Sequence, residues 1–197
     1  MVQIIHLSDF HLNSKNLTDW NSYVKKAFIE KLKNINLDTS KLLIVCTGDL
    51  VDKSGTDYDT VQDAFLLFKK EVIDFICTEL SISIDRFLVV PGNHDIVREN
   101  DSSKIELGNR EYFKTYNTIL SGQKDILDSG EREGVKRIIP FVEFENSLYK
   151  GLKRYCSFLG SAFKYEFKPS VGVACLNSAW RSYDDNDKNY LILGEEQ

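Results

Sequence analysis

The chain has 197 residues, 42% of them hydrophobic and 28% charged, a balance that fits one globular domain, or one and part of another, and excludes a disordered or low-complexity chain. Eleven glycines and three prolines exclude a collagen-like or Pro-rich description. A net charge of −5 argues against a broadly basic nucleic-acid-binding surface, and no apolar run approaches the roughly 18 residues of a membrane span.

The charge is uneven. Residues 98–168 carry 13 Lys/Arg against 11 Asp/Glu, the one net-positive stretch, which reads first as solvated surface. Cys46, Cys77, Cys156 and Cys175 form no C-x-x-C pair and lie in apolar segments, so they read as buried, reduced thiols of a cytoplasmic protein.

Taken in chain order, Val2–Leu7 is a short β-type run that stops at Ser8-Asp9. Residues 18–36 have helical spacing in Val24, Phe28, Leu32 and Ile35, with Thr18 or Asp19 as cap. Lys41–Cys46 ends in a continuous apolar run, typical of a strand buried on both faces, and is followed by Thr47-Gly48-Asp49. Residues 58–80 read as a long amphipathic helix, and Arg86–Val90 as a third buried strand ending at Pro91-Gly92-Asn93. Strand–helix alternation of this kind predicts a parallel α/β sheet.

The pattern changes after residue 98. Turn signals stand at Ser121-Gly122 and Ser129-Gly130, a helix is expected near 110–120, and Phe141–Phe158 reads as another. Ala162–Lys168 and Val171–Leu176 look like a hairpin turning at Pro169-Ser170, followed by a polar loop, Arg181–Asn189.

Each of the three predicted parallel strands ends in side chains that suit a metal. They are Asp9-Phe10-His11, Gly48-Asp49-Leu50-Val51-Asp52 and Gly92-Asn93-His94-Asp95. In open α/β sheets ligands bind outside the carboxyl ends of the strands, so these clusters should meet at one edge. Oxygen and nitrogen donors together suit Mn²⁺, Fe, Zn²⁺ or Mg²⁺. Gly48 and Gly92 stand where the chain must turn sharply before a ligand. His6 reads as a core or near-site histidine, not a ligand. Tyr149, Tyr155, Phe158, Lys153 and Arg154 could stack on and pair with a nucleic acid; packing of an amphipathic helix is the commoner use of such residues.

These three blocks resemble the calcineurin-like metallophosphoesterase superfamily, whose signature runs D-x-H, G-D-x-x-D, G-N-H-D/E, a lone His and G-H-x-H. The resemblance is close over residues 2–97 and looser at Val171–Ser178 and Leu193–Gln197, which look like the family's later strand and the start of its next helix. It implies an α/β fold of two facing mixed sheets flanked by helices. It also implies two divalent metal ions, Mn²⁺ foremost. Asp9 and His11 would bind the first metal, Asp49 would bridge both, and Asn93 would bind the second. His94 would be a proton donor or charge stabiliser at the scissile phosphate, Asp95 would orient it, and Asp52 would stand behind the ligands.

The family's later histidines have no counterpart, since His6, His11 and His94 are the chain's three. The expectation is therefore that residues 1–197 form the N-terminal part of a metallophosphoesterase domain, with a helical insertion at about 98–160. The rest of the domain would lie beyond residue 197 or come from a partner chain. The function implied is hydrolysis of a phosphodiester, in a nucleic acid or a cyclic or other nucleotide, by the catalytic module of a larger bacterial protein, near-inactive as this piece alone. The alternative is a degenerate binding or regulatory module that keeps the fold.

Overall fold

The computed structural model describes residues 1–35, 37–128, 130, 132–184, 187 and 191–193. Three parallel strands, β1 (Gln3–Leu7), β2 (Leu42–Thr47) and β3 (Phe87–Val90), form one sheet in the order β1-β2-β3. Ile5 stands opposite Ile44, and Ile44 opposite Phe87. Leu42, Leu43 and Ile44 are fully buried, as the unbroken apolar run requires of a central parallel strand. On β1, by contrast, Ile5 and Leu7 are half-buried while Ile4 and His6 are exposed, so His6 is no core histidine; its Nε2 lies 2.6 Å from Thr47 Oγ1 on the neighbouring strand.

The first connection is helical from Ser14 onward: α1 (Ser14–Asp19), a π-helical segment (Trp20–Val24) and α2 (Lys25–Asn34). It starts before the expected Thr18 because Asn13 caps it, accepting from the Asn16 N–H at 2.9 Å. The second connection runs through α3 (Val61–Phe68), a π-helical segment (Lys69–Asp74) and α4 (Phe75–Leu80). Thr60 caps α3 through the Asp63 N–H at 3.1 Å. The two π segments are tied together where Trp20 Nε1 donates to the Glu71 carbonyl (3.0 Å) and Lys25 pairs with Glu71 (3.0 Å).

Three further helices follow: α5 (Ser103–Tyr112), α6 (Tyr116–Asp128) and α7 (Ile139–Leu148). Gly122 lies inside α6, not in a turn. A Cβ there would stand 2.4 Å from a Phe113 ring carbon, so this glycine serves close packing. The helix expected over 141–158 ends at Leu148. Tyr155 and Cys156 beyond it are claimed by a sheet, where β4 (Tyr155–Cys156), β5 (Gly160–Tyr165) and β6 (Val171–Leu176) pair antiparallel in that order. The hairpin expected about Pro169-Ser170 is present. Cys156 is exposed, contrary to expectation, while Cys46, Cys77 and Cys175 are buried; all four are free. The segment 194–197 lies outside the described residues, as do parts of the polar loop.

The protein is thus α/β with a parallel and an antiparallel sheet. The two sheets join through one core: the buried Tyr149 donates from its hydroxyl to the Phe87 carbonyl on β3 (2.6 Å), and its ring meets Phe163 of β5 edge-on at 5.0 Å. Phe65 of α3 stacks on Phe144 of α7 at 4.8 Å. A smaller core under α5 and α6 gathers Ile96, Ile126, Ile138 and Trp180. Beside it, Arg137 and Arg181 share the buried carboxylate of Glu106, and Arg137 also holds Asp101, each at 2.7 Å.

Candidate metal centre

Because β1, β2 and β3 are parallel, their carboxyl ends share one edge, and the loops beyond them stay paired. The Asp9 N–H donates to Gly48 O (3.2 Å), the His11 N–H to Asp49 O (2.8 Å) and the Asp52 N–H to Leu12 O (3.2 Å). Asp9, His11, Asp49, Lys53 and Ser54 all take left-handed φ values, between +42° and +57°. Such backbone costs about 1–3 kcal/mol per residue and persists where neighbours over-determine it, as these cross-loop bonds do.

Gly48 and Gly92 explain how the loops come so close. Gly48 has φ +96°, and a Cβ on it would stand 2.7 Å from the Gly92 nitrogen. A Cβ on Gly92 would stand 2.2 Å from Asp49 Oδ1. Asp49 is thereby seated against bare backbone, and its Oδ1 accepts from the His94 N–H at 3.0 Å.

The side chains converge accordingly. Ligand atoms of His11, Asp49 and His94 lie within 4.8 Å of one another. His11 Nε2 is 3.8 Å from Asp9 Oδ1 and 3.7 Å from Asp49 Oδ2, and the His11 and His94 rings meet edge-on at 4.5 Å. These imidazole–carboxylate separations are too long for hydrogen bonds. Atoms bound to one cation at about 2.0–2.2 Å stand roughly 3–4 Å apart, so the spacing fits donors shared by an ion. Among the described residues no Lys or Arg pairs with Asp9, Asp49 or Asp52, which leaves a divalent cation as the natural counter-charge. Asn93 is exposed and lines the same cavity as His94.

The model of the calcineurin-like phosphoesterase family matches residues 2–192. The chain belongs to that family. It is accordingly a metal-dependent phosphoesterase by kinship, and the match includes the helices between residues 98 and 160. No curated protein and no solved structure matches the chain significantly.

Within this phosphoesterase, the Asp95 carboxylate turns to backbone amides and not to the His94 ring. It is wholly buried and staples two loops, Oδ1 accepting from the Val51 N–H (3.0 Å) and Oδ2 from the Gly92 N–H (2.8 Å). Burial pushes its carboxyl up to about 7, against the pull of those backbone donors. The carboxylate beside His94 is that of Asp52, whose Oδ1 lies 3.2 Å from His94 Nδ1 and 4.0 Å from His11 Nδ1. The spacing of the third block suggested the adjacent Asp95 as the orienting group; the turn at Gly92–Asp95 aims that side chain into the core.

Sequence reasoning also passed over Asn13 and Asn16. Asn13 Nδ2 donates to Asp52 Oδ2 (3.3 Å), and Asn16 Nδ2 to the His11 carbonyl (2.8 Å). An amide two residues past a ligand block, at a helix cap, is the signal that would have found the first. Of the residues considered for stacking on nucleic acid, Tyr149 is buried in the core, and the Arg154 guanidinium lies 5.2 Å from its ring centroid.

Proposed function

We propose that the protein hydrolyses a phosphodiester, in a nucleic acid or a nucleotide, with two divalent cations, Mn²⁺ foremost. The observation that carries this reading is the convergence of His11, Asp49 and His94 at the ends of three parallel strands, flanked by Asp9 and Asp52. Divalent cations supply charge neutralisation on phosphoryl oxygens and lower the pKa of water. In this reading Asp9, His11 and Asp49 hold one ion, and Asp49 with Asn93 holds the other. His94 Nδ1 either donates to Asp52 Oδ1 or accepts from the Lys53 N–H, at 3.2 Å each, so the ring's orientation is fixed from behind. An imidazole fixed there can hold a proton for the departing oxygen. The exposed Asp9 and Asn93 leave the edge open to a substrate with substituents on both sides of the phosphorus. The free, mostly buried thiols suit a cytoplasmic setting.

The test is hydrolysis of bis(p-nitrophenyl) phosphate with and without Mn²⁺, beside p-nitrophenyl phosphate and the Asp49→Asn variant. Metal-dependent diester cleavage abolished by Asp49→Asn is expected. Cleavage of the monoester alone would make the protein a phosphomonoesterase, and no metal-dependent cleavage of either, with the segment or partner chain expected to supply the later histidines present, would leave it a binding module.

A further inference from the structure

Next to the metal centre lies a cavity of about 500 Å³ that the assigned residues only border. Asn93 and His94 form one side. Lys53, Ser54, Thr56, Arg98 and Glu99 form the rest. Among the described residues, neither the Lys53 ammonium nor the Arg98 guanidinium has a carboxylate within 4 Å, although Glu99 shares the cavity. Other cations of the chain also lack a carboxylate partner, but these two line one cavity that opens beside His94 and Asn93. Two unpaired cations outweigh the single carboxylate beside them, in a molecule of net charge −5. Their position is also fixed relative to His94. The Lys53 N–H lies 3.2 Å from His94 Nδ1, and the Ser54 N–H donates to the His94 carbonyl at 2.8 Å. Arg98 opens the short 3₁₀ turn Arg98–Asn100, four residues past His94.

We propose that Lys53 and Arg98 form an anion subsite that binds a second phosphate of the substrate while the scissile phosphate sits at the metal centre. This deepens the phosphodiesterase reading and rests on it: the preferred substrates carry a further phosphoryl group within one nucleotide unit of the bond cleaved. Guanidinium and ammonium serve this differently, Arg by paired N–H donors to two phosphate oxygens and Lys as a compact point charge. The Thr56 hydroxyl donates to the Lys53 carbonyl at 2.6 Å and so braces the turn that carries Lys53, and Glu99 disfavours carriers of a still larger anionic surface. A phosphate so bound fixes the substrate's direction across His94.

The experiment measures binding to the 197-residue chain in Mn²⁺ by calorimetry, with thymidine 5′-monophosphate, thymidine 5′-diphosphate and thymidine 3′,5′-bisphosphate as probes. Either doubly phosphorylated probe should bind about tenfold tighter than the monophosphate, the gain of roughly one charge-assisted contact. Preference for the 3′,5′-bisphosphate marks a sugar–phosphate backbone, and preference for the diphosphate marks a nucleotide. The Lys53→Gln/Arg98→Gln variant should lose the preference while its affinity for Mn²⁺ alone stays as in the wild type, which separates the subsite from chelation of the metal by the extra phosphate. Arg98→Gln alone, outside the left-handed turn, serves where the double variant fails to fold, and should lose most of the preference. Equal affinity for all three probes, or a preference that survives the substitutions, overturns the subsite. Its failure is distinct from that of the wider reading: absent diester hydrolysis with the preference intact leaves the subsite standing, and hydrolysis without the preference removes the subsite alone.

Discussion

His94 and Asp52 face each other across 3.2 Å, Nδ1 to Oδ1, and the far oxygen of Asp52 is held in turn by Asn13 Nδ2 at 3.3 Å. A chain of three side chains from three different segments therefore stands behind the imidazole. Asp52→Asn keeps the shape and removes the charge. Partners of this kind typically contribute about 10–100-fold to activity or metal affinity. The expected result is a fall of that size in kcat on a phosphodiester with KM little changed, and Asn13→Ala should show a smaller fall in the same direction. An Asp52→Asn enzyme with unaltered kcat would remove Asp52 from the mechanism.

His94 stands close enough to His11 and Asp49 to share a cation with them, whereas the resemblance of its sequence block would place it at the phosphate. Kinetics beside metal analysis separate the two roles. As a proton donor or charge stabiliser, His94 should contribute about 10²–10⁴-fold to kcat. His94→Ala is expected to show that loss while retaining its bound metal. Metal and activity falling in proportion would make His94 a ligand.

Gly92→Ala tests the seat of Asp49 without touching any donor atom. The added Cβ would stand 2.2 Å from Asp49 Oδ1 and 2.5 Å from the Asp49 nitrogen, so rotating the Asp49 side chain alone would not make room. Asp49 or the loop must shift, so metal affinity should weaken by about tenfold or more, with loss of activity to match. Titration with Mn²⁺ measures it, and wild-type affinity in this variant would show that the two loops can part without consequence.

Much of this was legible because the relevant signals are local. The runs before Thr47 and Pro91 could only be buried strands, and Asp9, His11, Asp49 and Asn93 follow strand ends directly, so parallel pairing alone places them on one edge. What was not legible depends on three-dimensional approach. Asp95 neighbours His94 in sequence, but a four-residue turn sends it inward to the Val51 and Gly92 amides, and Asp52 arrives from another loop. Gly122 resembles a turn residue until α6 is seen lying on Phe113. Residues 149–158 have helical spacing, yet Tyr155-Cys156 gain ladder bonds with Ser161-Ala162 that a helix could not offer.

The buried ion network beside Trp180 predicts a large stability effect remote from the metal. Arg137 is fully buried, holds Asp101 and Glu106 at 2.7 Å, and donates to the Ser182 carbonyl at 3.1 Å. Removing one member of such a network strands the opposite charge and costs about 3–5 kcal/mol. Arg137→Met should lower the urea midpoint accordingly. A change under about 1 kcal/mol would show that water reaches Asp101 and Glu106 in the variant.

Glu145 gives a pH dependence whose sign is fixed by its surroundings. It is buried on α7, its Oε1 accepts from Ser161 Oγ at 2.6 Å, and Arg154 stands 3.6 Å away. Burial raises its carboxyl above the ordinary 4.5, and the Ser161 bond and the Arg154 charge only partly offset this. The folded state therefore holds the proton more tightly than the unfolded chain. Its contribution to stability is fully present below the unfolded value and is lost as pH rises through the folded one. Glu145→Gln keeps an acceptor for Ser161 and removes the titration. Across the range from about pH 4.5 to neutrality, the wild type should lose stability relative to this variant, as read from urea unfolding of both at each pH. Parallel curves would remove Glu145 from the pH dependence. A wild type that gains on the variant as pH rises would mean that the Arg154 pair outweighs burial, with the folded carboxyl held below its ordinary value.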